Sequence, residues 1–454
     1  MKALRFAPFA ALLSLSAGVF AGGITTWDRE IAPGVTFRME RIDELNINVY
    51  GVRLKRGKAV QKPVLANRAV YDATPSNGRD TVTKIVAKNE AEGGINGDFF
   101  QFGTDPGGDP MGALVAFGEL ISAPGTNRRY ASFGWDRSGN YVPVNLKFEA
   151  SVVLPSGKKV KVHDVNTRSV PKKVIFGTST MGQIYGEAPF TLVRCRSSVS
   201  FLRPSMEATI EVVSVEQVEK RADVGKGEFI FAAPEGLAGP FKKLVAGDRL
   251  AFQCETSGAD WSRVMSVMGG GPVVVSQGRP QHFLHIDDFA ETKHPRSAVG
   301  VTASGDFWYL VVDGRQTQST GISLDDLGSL MARWGCVEAM NLDGGGSSAI
   351  NLLGLTLNKP AGGVERQVAD AVVWDFARPP VGPEFEIVGP EKAGLKQDVK
   401  FNLSVDSSAA VWTAQGPGWI GQDGVLHTLA AGEVKIAVLL NGRIMRKSVI
   451  VEGS

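Results

Sequence analysis

The chain has 454 residues, of which 43% are hydrophobic and 21% are charged, and it contains 54 glycines and 23 prolines. This composition is typical of a globular protein rich in short strands and tight turns, and the length allows one large core and a smaller module. The formal net charge of +2 excludes the strongly basic surface of a nucleic-acid-binding protein.

The N-terminal segment is typical of a signal peptide. Lys2 and Arg5 precede an apolar run from Phe6 to Leu15, and small residues follow up to Ala21. The run is shorter than the roughly 20 apolar residues that a membrane-spanning helix needs, and no cysteine for a lipid anchor directly follows it. We therefore predict a signal peptide over residues 1–21, no membrane span after its removal, and a secreted or periplasmic protein.

The next part of the chain predicts strands with one helix among them. Two strands are predicted over residues 35–54, and a helix over 80–91 with Asp80 as its N-cap. Gly93 and Gly94 are predicted to end this helix. The stretch 113–268 has many short apolar runs that Gly, Pro and Ser interrupt, which favours strands.

Residues 296–350 give the clearest pattern. The apolar runs 297–303 and 307–312 flank a turn and predict a hairpin. Ser323 and Asp326 form a capping-box pattern at the start of a helix that Gly335 ends. With the strand that follows, these elements predict an α+β fold whose core is a mixed, mostly antiparallel sheet with a few helices.

A proline-rich linker after Asp375 predicts a domain boundary. Residues 384–454 contain short alternating strands and weakly resemble a bacterial Ig-like module, which predicts a small C-terminal β-sandwich. The predicted organisation is a signal peptide over 1–21, a main domain over 22–378 and the Ig-like module over 384–454.

The three cysteines are interpreted as structural. Cys195 and Cys254 lie in strand-like segments, and export would permit a disulfide between them, but the sequence does not decide whether they pair. Cys336 follows a helix in an apolar stretch and is predicted to be a buried thiol. No histidine-containing motif accompanies any of the three, which argues against a catalytic cysteine.

The segment 341–348 carries the most chemistry. Three consecutive glycines follow Asp343, with Asn341 before them and two serines after them. Glycines permit unusual backbone dihedrals and close approach, and the N–H groups of such turns bind anions. Taken alone, the segment is better interpreted as a tight turn that Asp343 caps.

Other strand ends also carry polar residues beside glycine. A rigid sheet commonly presents a functional site on such loops, and a guanidinium group matches two phosphate oxygens at once. A surface ion pair is the alternative for each arginine. These positions are Asn96 and Asp98, the glycine cluster 269–271, Arg296, Asp313 and Arg315.

Together the motifs resemble the signature of the phosphodiester glycosidase family, which includes bacterial exopolysaccharide-associated proteins. The resemblance covers about residues 28–378, with the motifs in the family's order. Asp98 stands where the family tolerates other residues, and Asp370 replaces the usual asparagine. The matching segments are Asn96-Gly-Asp-Phe-Phe, Gly269-Gly-Gly-Pro, Arg296-Ser-Ala-Val-Gly-Val, Leu310-Val-Val-Asp-Gly-Arg, Asn341-Leu-Asp-Gly-Gly-Gly-Ser-Ser and Arg366-Gln-Val-Ala-Asp-Ala.

The resemblance implies an exported hydrolase that cleaves the glycosidic bond of a sugar-1-phosphodiester in a cell-envelope or extracellular glycan. Such chemistry needs one decisive carboxylate on the sugar side and a cationic or N–H-rich pocket on the phosphate side. The catalytic residues that it implies are Asp343 first, Asp313 second, and Arg296. The substrate-binding residues that it implies are Asn96, Asp98, Gly270, Gly271, Arg315, Asn341, Gly344, Gly345, Gly346, Ser347 and Ser348.

A metal site stays open at this stage. The motifs require no cofactor, although a calcium or magnesium ion would be compatible with them. A histidine-rich run has a spacing that fits no standard metal site, and a polar loop is the favoured interpretation. A solvated turn is likewise favoured over weak calcium binding at Asp105 and Asp109. The run consists of His282, His285, Asp287, Asp288 and His294.

Two alternative functions also stay open. A metal-dependent phosphodiesterase would cut the P–O bond, and a non-catalytic envelope protein would bind a polysaccharide in the same pocket. All three hypotheses share a phosphorylated carbohydrate or a glycan as the partner, and none involves nucleic acid. The sequence does not identify a protein partner.

Overall fold

The computed structural model describes residues 23–72, 77–101, 107–125, 129–283 and 288–453. The helices are α1 (Val82–Lys88), α2 (Glu235–Ala238), α3 (Asp288–Glu291) and α4 (Leu324–Arg333), with 3₁₀ turns at Ser179–Met181, Phe241–Lys243 and Gly345–Ser347. The predicted signal peptide lies outside the described residues. Within the described part of the chain, no helix has the length and hydropathy to cross a membrane.

The strands run through the whole of the described chain. The first twelve are β1 (Ile24–Ala32), β2 (Val35–Ile42), β3 (Ile47–Leu54), β4 (Ala59–Leu65), β5 (Gly93–Asn96), β6 (Leu114–Ala116), β7 (Glu119–Ser122), β8 (Ala131–Asp136), β9 (Tyr141–Val142), β10 (Lys147–Val153), β11 (Lys159–Val162) and β12 (Asp164–Val165). The next ten are β13 (Ile175–Thr178), β14 (Gln183–Tyr185), β15 (Phe190–Arg196), β16 (Ser205–Val218), β17 (Arg221–Asp223), β18 (Phe229–Pro234), β19 (Arg249–Ser257), β20 (Val264–Gly270), β21 (Val273–Ser276) and β22 (Arg279–Pro280).

The remaining strands follow the middle region and form the C-terminal part. They are β23 (Arg296–Thr302), β24 (Phe307–Val312), β25 (Cys336–Asn341), β26 (Ile350–Leu352), β27 (Leu355–Thr356), β28 (Asp370–Phe376), β29 (Ile387–Val388), β30 (Lys392–Ala393), β31 (Asp398–Lys400), β32 (Asn402–Leu403), β33 (Val411–Gln415), β34 (Gly418–Ile420), β35 (Val425–Thr428), β36 (Gly432–Leu440) and β37 (Arg443–Val451).

The protein is mostly β, with 49% of the described residues in strands and 8% in helices. The α+β prediction is therefore wrong. The helical patterns were correct locally, since α1 and α4 both form. These helices are too few and too short to make a layer, because most of the region 113–268 folds into strands.

The capping of the two longer helices follows local side-chain chemistry. Ser323 caps α4, and its Oγ accepts the N–H of Asp326 at 3.1 Å, as predicted. At α1 the N-cap is Thr81 and not the predicted Asp80. The Asp80 carboxylate instead accepts a hydrogen bond from Lys88 Nζ at 2.7 Å, at the other end of the helix.

The first sheet has eight strands in the order β1-β2-β3-β24-β23-β25-β21-β22. The predicted hairpin is confirmed as β23 and β24, which pair antiparallel with Arg296 opposite Val312. Strand β25 pairs with the other side of β23, with Asn341 opposite Ala298. The start of β23 and the ends of β24 and β25 therefore lie at the same end of this sheet.

Two five-stranded sheets bring further strand ends to the same place. Their orders are β27-β26-β5-β28-β4 and β7-β6-β20-β8-β9. In the first of them, β5 pairs with β28 so that Asn96 lies opposite Ala371. This pairing places Asp98, just after β5, beside Asp370, at the start of β28. Gly93 and Gly94 do not end α1 but begin β5.

The middle region forms a second eight-stranded sheet, ordered β11-β10-β19-β16-β15-β18-β13-β12, with its own apolar core. Cys195 on β15 and Cys254 on β19 are buried and unpaired. Strand β16 separates them, and they lie opposite distant positions of it, Val212 and Met206. The geometry that a disulfide needs is therefore absent between these two residues. Cys336 is buried, as predicted.

The C-terminal strands β29 to β37 enclose a separate apolar cluster. They also contact the rest of the protein, because Gln415 Nε2 donates to the carbonyl of Asn358 at 3.0 Å and Lys359 Nζ donates to that of Gly416. Whether residues 384–454 are a domain of their own stays a prediction.

Candidate active site

Asn96 connects the strand ends that meet at the site. Its side chain is fully buried. Its Nδ2 donates to the carbonyl of Asp343 at 2.7 Å, and its Oδ1 accepts from Ser297 Oγ at 2.7 Å and from the N–H of Ala349 at 3.2 Å. These contacts hold the loop after β25 against β5 and β23, so Asn96 acts here as a positioning residue.

Asn341 ties the second glycine cluster to the same loop. The Nδ2 of Asn341 donates to the carbonyl of Gly271 at 2.8 Å, and the N–H of Gly271 donates to the carbonyl of Asn341 at 2.7 Å. A side chain at Gly270 would lie 2.7 Å from that carbonyl. The glycines therefore allow β20 to approach β25 closely.

Three carboxyl groups meet beside the loop. The backbone N–H of Asp98 donates to Asp370 Oδ1 at 2.7 Å. The Asp98 carboxylate accepts the N–H groups of Phe99 at 2.7 Å and of Gly112 at 2.6 Å. The charge of Asp343 acts on both other acids, so the three form one acidic cluster.

The acidic cluster holds protons unusually tightly. Burial raises the pKa of Asp98 to about 7 against the lowering effect of its two N–H donors, and the charge of Asp343 raises it further. Burial and the charges of Asp98 and Asp343 raise the pKa of Asp370 well above its usual range. Burial raises the pKa of Asp343 to about 6, although the Ser347 hydroxyl and the N–H of Gly344 favour its ionised form.

Glycines also make room for the Asp98 carboxylate. A Cβ at Gly112 would lie 2.6 Å from Asp98 Oδ2, and one at Gly269 would overlap the same oxygen. Glycine is therefore needed at position 269 because of the Asp98 carboxylate and at position 270 because of the Asn341 carbonyl.

The triple glycine is required by three neighbours. A Cβ at Gly344 would lie 2.8 Å from the carbonyl of Pro295, and one at Gly346 would overlap the guanidinium of Arg366. Gly345 has a φ of +62°, and a Cβ there would lie 3.2 Å from Arg315 Nη2. The loop therefore lies against two guanidinium groups.

Three backbone N–H groups of the loop form hydrogen bonds within the protein. That of Gly344 donates to Asp343 Oδ1 at 2.8 Å, that of Gly345 to the carbonyl of Pro295 at 2.8 Å, and that of Ser347 to the carbonyl of Gly344 at 3.1 Å. The side chain of Ser347 binds Asp343 and accepts from Arg366 Nη1 at 3.5 Å. The positive charge at this loop therefore comes from arginine side chains more than from a backbone anion nest.

Arg315 is exposed at the loop, and its Nη2 lies 3.3 Å from His294 Nδ1. Burial and the positive charges of Arg296 and Arg315 lower the pKa of His294. The imidazole is therefore neutral near pH 7 and can accept a hydrogen bond from Arg315.

Arg296 lies behind the loop, and only 1% of it is exposed. Its guanidinium donates to the carbonyls of Phe289 at 2.6 Å, Thr292 at 3.1 Å and Ile322 at 3.3 Å, and lies 4.6 Å from the centre of the Phe289 ring. These contacts join three segments of the chain through the guanidinium of Arg296.

Asp313 is also buried. Its carboxylate accepts from Asn358 Nδ2 at 3.2 Å and from the N–H of Lys359 at 3.1 Å. Burial raises its pKa to about 7. Asn358 also donates to the carbonyl of Ser348 at 3.1 Å, so Asp313 supports the loop from beneath. The Ser348 side chain is buried there as well.

Two residues at the site were not among the predicted site residues, although the sequence contains a signal for both. Arg366 and Asp370 belong to the closing motif Arg366-Gln-Val-Ala-Asp-Ala. Phe99, from the motif that begins at Asn96, packs at 6.2 Å from Tyr130 and 6.1 Å from Phe289, measured between ring centres, and the sequence contains no signal for these two partners.

The candidate metal ligands do not assemble among the described residues. In that part of the chain, no group of three or more His, Cys, Asp or Glu residues is arranged to bind a metal. His282 pairs with Asp325 at 3.2 Å, and Asp109 accepts from Thr167 Oγ1 at 2.6 Å. His285, Asp287 and Asp105 lie outside the described residues.

Comparison with solved structures places the fold among known proteins. A hypothetical protein from Synechocystis matches with a TM-score of 0.63 and 17% identity, covering 78% of this chain and 64% of that one. A protein from Burkholderia pseudomallei K96243 matches with a TM-score of 0.60 and 21% identity, covering 72% of this chain and 74% of that one. At these identities the likeness concerns the fold alone.

Sequence comparison gives the family. The SPbeta prophage-derived uncharacterized protein YomE of Bacillus subtilis (strain 168) is 33% identical over 138 residues, which are 30% of this chain and only 21% of YomE. Residues 229–374 match the sequence profile described as phosphodiester glycosidase, which confirms the resemblance found in the motifs. This match covers the part of the chain that contains the triple-glycine loop, which is thus similar to the phosphodiester glycosidase family.

Proposed function

We propose that the protein is an exported hydrolase that cleaves a sugar-1-phosphodiester at the bond between the anomeric carbon and the phosphate oxygen. The family match supports a glycosidase that acts on phosphodiester sugars. The observation that carries the proposal is the position of Asp343, which belongs to the acidic cluster and directly precedes a loop that contacts Arg315 and Arg366. The signal-peptide pattern at residues 1–21 supports a cell-envelope or extracellular glycan as the source of the substrate.

Asp343 is the reacting carboxylate in this proposal, as the nucleophile or as the base that activates water. The N–H of Gly344 and the hydroxyl of Ser347 orient it. With a pKa of about 6, it is mostly ionised at neutral pH, which both functions require. Its negative charge would also stabilise the positive charge that develops at the anomeric carbon.

Arg315 and Arg366 bind the phosphate in this proposal. Each lies against one glycine of the loop, so a phosphate there would be close to Asp343 without a side chain between them. The phosphate monoester is a good leaving group, so stabilising its charge matters more than protonating it. The guanidinium fork suits two phosphate oxygens at once.

Asp98 faces the sugar side in this proposal. Two backbone N–H groups fix its carboxylate beside Asp343. With a pKa of about 7, it is partly protonated at neutral pH and can both donate to and accept from a sugar hydroxyl.

The position of an isotope label tests the proposal. We would incubate the protein with UDP-N-acetylglucosamine and with a methyl phosphodiester of N-acetylglucosamine-1-phosphate in water labelled with the heavy oxygen isotope, and analyse the products by mass spectrometry. The label is expected on the anomeric hydroxyl of the sugar and not on the phosphate. Label on the phosphate would indicate a phosphodiesterase, and binding without any product would favour a polysaccharide-binding protein.

A further inference from the structure

A groove lies next to the acidic cluster and is not used by the reaction proposed above. Its volume is about 400 Å³, within the range of roughly 300–1,000 Å³ that is usual for ligand sites. It combines an aromatic ring, a guanidinium, an amide, a hydroxyl and small apolar groups. The residues that supply these are Arg129, Tyr130, Ser132, Asn145, Pro272 and Val273.

The order of contacts places this groove on the sugar side of the site. Arg366 reaches Ser347, and Ser347 binds Asp343. Asp343 in turn acts on Asp98. Tyr130 packs against Phe99, the residue after Asp98, with 6.2 Å between the ring centres, so Tyr130 lies near Asp98. The acidic cluster thus stands between the groove and the phosphate-binding arginine.

Tyr130 has the form of a platform for a sugar ring. It is half-buried, its edge packs against Phe99, and a Cβ at Gly125 would overlap its ring. Its hydroxyl donates to the sulfur of Met111 at 3.6 Å, which is a weak contact. The C–H face of a sugar packs well on an aromatic ring, while its hydroxyls bind arginine, amide and hydroxyl side chains such as those of Arg129 and Asn145.

We propose that this groove binds the saccharide units that precede the cleaved sugar, so that the substrate is an oligosaccharide or a polymer rather than a single sugar phosphodiester. This inference rests on the proposed function, which defines the sugar side and the phosphate side of the site and therefore the direction in which the saccharide lies. Tyr130 is a binding residue in it, and takes no part in breaking the bond.

The test measures binding, so that it does not depend on turnover. Calorimetry would compare monosaccharides with tetrasaccharides of glucose, galactose, mannose and N-acetylglucosamine. In at least one series the tetrasaccharide is expected to bind at least tenfold more tightly than the monosaccharide. Tyr130→Ala should remove this gain, and Tyr130→Phe should keep most of it. Phe117→Ala, at an exposed aromatic residue that does not line the groove, should keep all of it.

Two results would overturn the inference. One is the absence of any gain with chain length in all four series, and the other is a gain that survives in Tyr130→Ala. Thermal unfolding of each variant shows whether a loss of binding reflects misfolding. If Tyr130→Ala does not fold, the folded Tyr130→Phe variant tests the inference, because it should keep most of the gain with chain length. Failure of the protein to hydrolyse the phosphodiesters would count against the proposed function and not against the groove.

Discussion

The guanidinium of Arg366 occupies the space that any side chain at Gly346 would fill. Its Nη1 also donates to Ser347 Oγ at 3.5 Å, beside Asp343. The closing motif of the family and the triple glycine are therefore one structural unit, in which the glycine is needed because the arginine is there.

Gly346→Ala should displace Arg366 and lower kcat/KM by about tenfold or more, equivalent to about 1.4 kcal/mol of lost transition-state stabilisation. Most of the loss should appear as a higher KM, because the arginine binds the phosphate. Gly362→Ala is the matched control, since a Cβ at Gly362 meets no atom within 4 Å. Equal kinetics for the two variants would show that Arg366 does not contribute to phosphate binding.

Arg315→Gln and Arg296→Gln should fail in different ways. Arg315 is exposed, so its loss should raise KM by roughly tenfold and weaken the salt dependence of binding, with little change in Tm. Arg296 is buried on three carbonyl groups, and leaving these without a donor should cost about 1–3 kcal/mol each and lower Tm clearly. Steady-state kinetics and thermal unfolding of both variants check this; a selective KM effect in Arg296→Gln would restore the phosphate-binding function that the sequence predicted for it.

The activity should fall on the acid side of about pH 6. Asp343 has a pKa of about 6, and only its ionised form can act as base or nucleophile. A plot of kcat/KM against pH should therefore bend near pH 6 and drop tenfold per pH unit below it. A profile that is flat down to pH 4.5 would show that the reacting group has an ordinary carboxyl pKa, near 3.9.

Stability should decrease as the pH rises. The carboxyl pKa values of Asp98 and Asp313 are about 7 in the folded state and that of Asp370 is higher still, whereas an unfolded aspartate has a pKa of about 3.9. The folded state thus binds more protons between these values, so its extra stability is complete below about pH 4 and is lost as the pH rises through 7.

Thermal unfolding at pH 5 and pH 8 measures this effect. Tm should be higher at pH 5. Asp370→Asn keeps an acceptor for the N–H of Asp98 and removes one buried acid, so it should reduce the difference between the two pH values. A wild-type Tm that rises from pH 5 to pH 8 would contradict these pKa shifts.

Features that depend on short stretches of sequence could be predicted. The hairpin of β23 and β24 and the Ser323 cap of α4 follow from local periodicity and hydrogen bonding. The demand on the backbone at the triple glycine could also be predicted, because three consecutive glycines permit close approach of neighbouring groups, and the structure places such groups there.

Features that depend on distant contacts could not be predicted. Arg296 reads as a phosphate ligand until its carbonyl partners at 289, 292 and 322 are seen. Asp370 meets Asp98 only because β5 pairs with β28 across 272 residues of sequence. The α+β prediction was wrong although the strands of the middle region were predicted, because the described helices are few and short, the longest being α4 (Leu324–Arg333).

The substitution Asp343→Asn tests the central claim most directly, measured as turnover of the methyl phosphodiester and compared with Asp313→Asn. Asp343→Asn should lose about a thousandfold or more in kcat, on the order of 4 kcal/mol, with unchanged circular dichroism. Asp313→Asn should stay within about tenfold of the wild type, because Asp313 only supports the loop from beneath. Near-normal turnover by a folded Asp343→Asn variant would contradict the account.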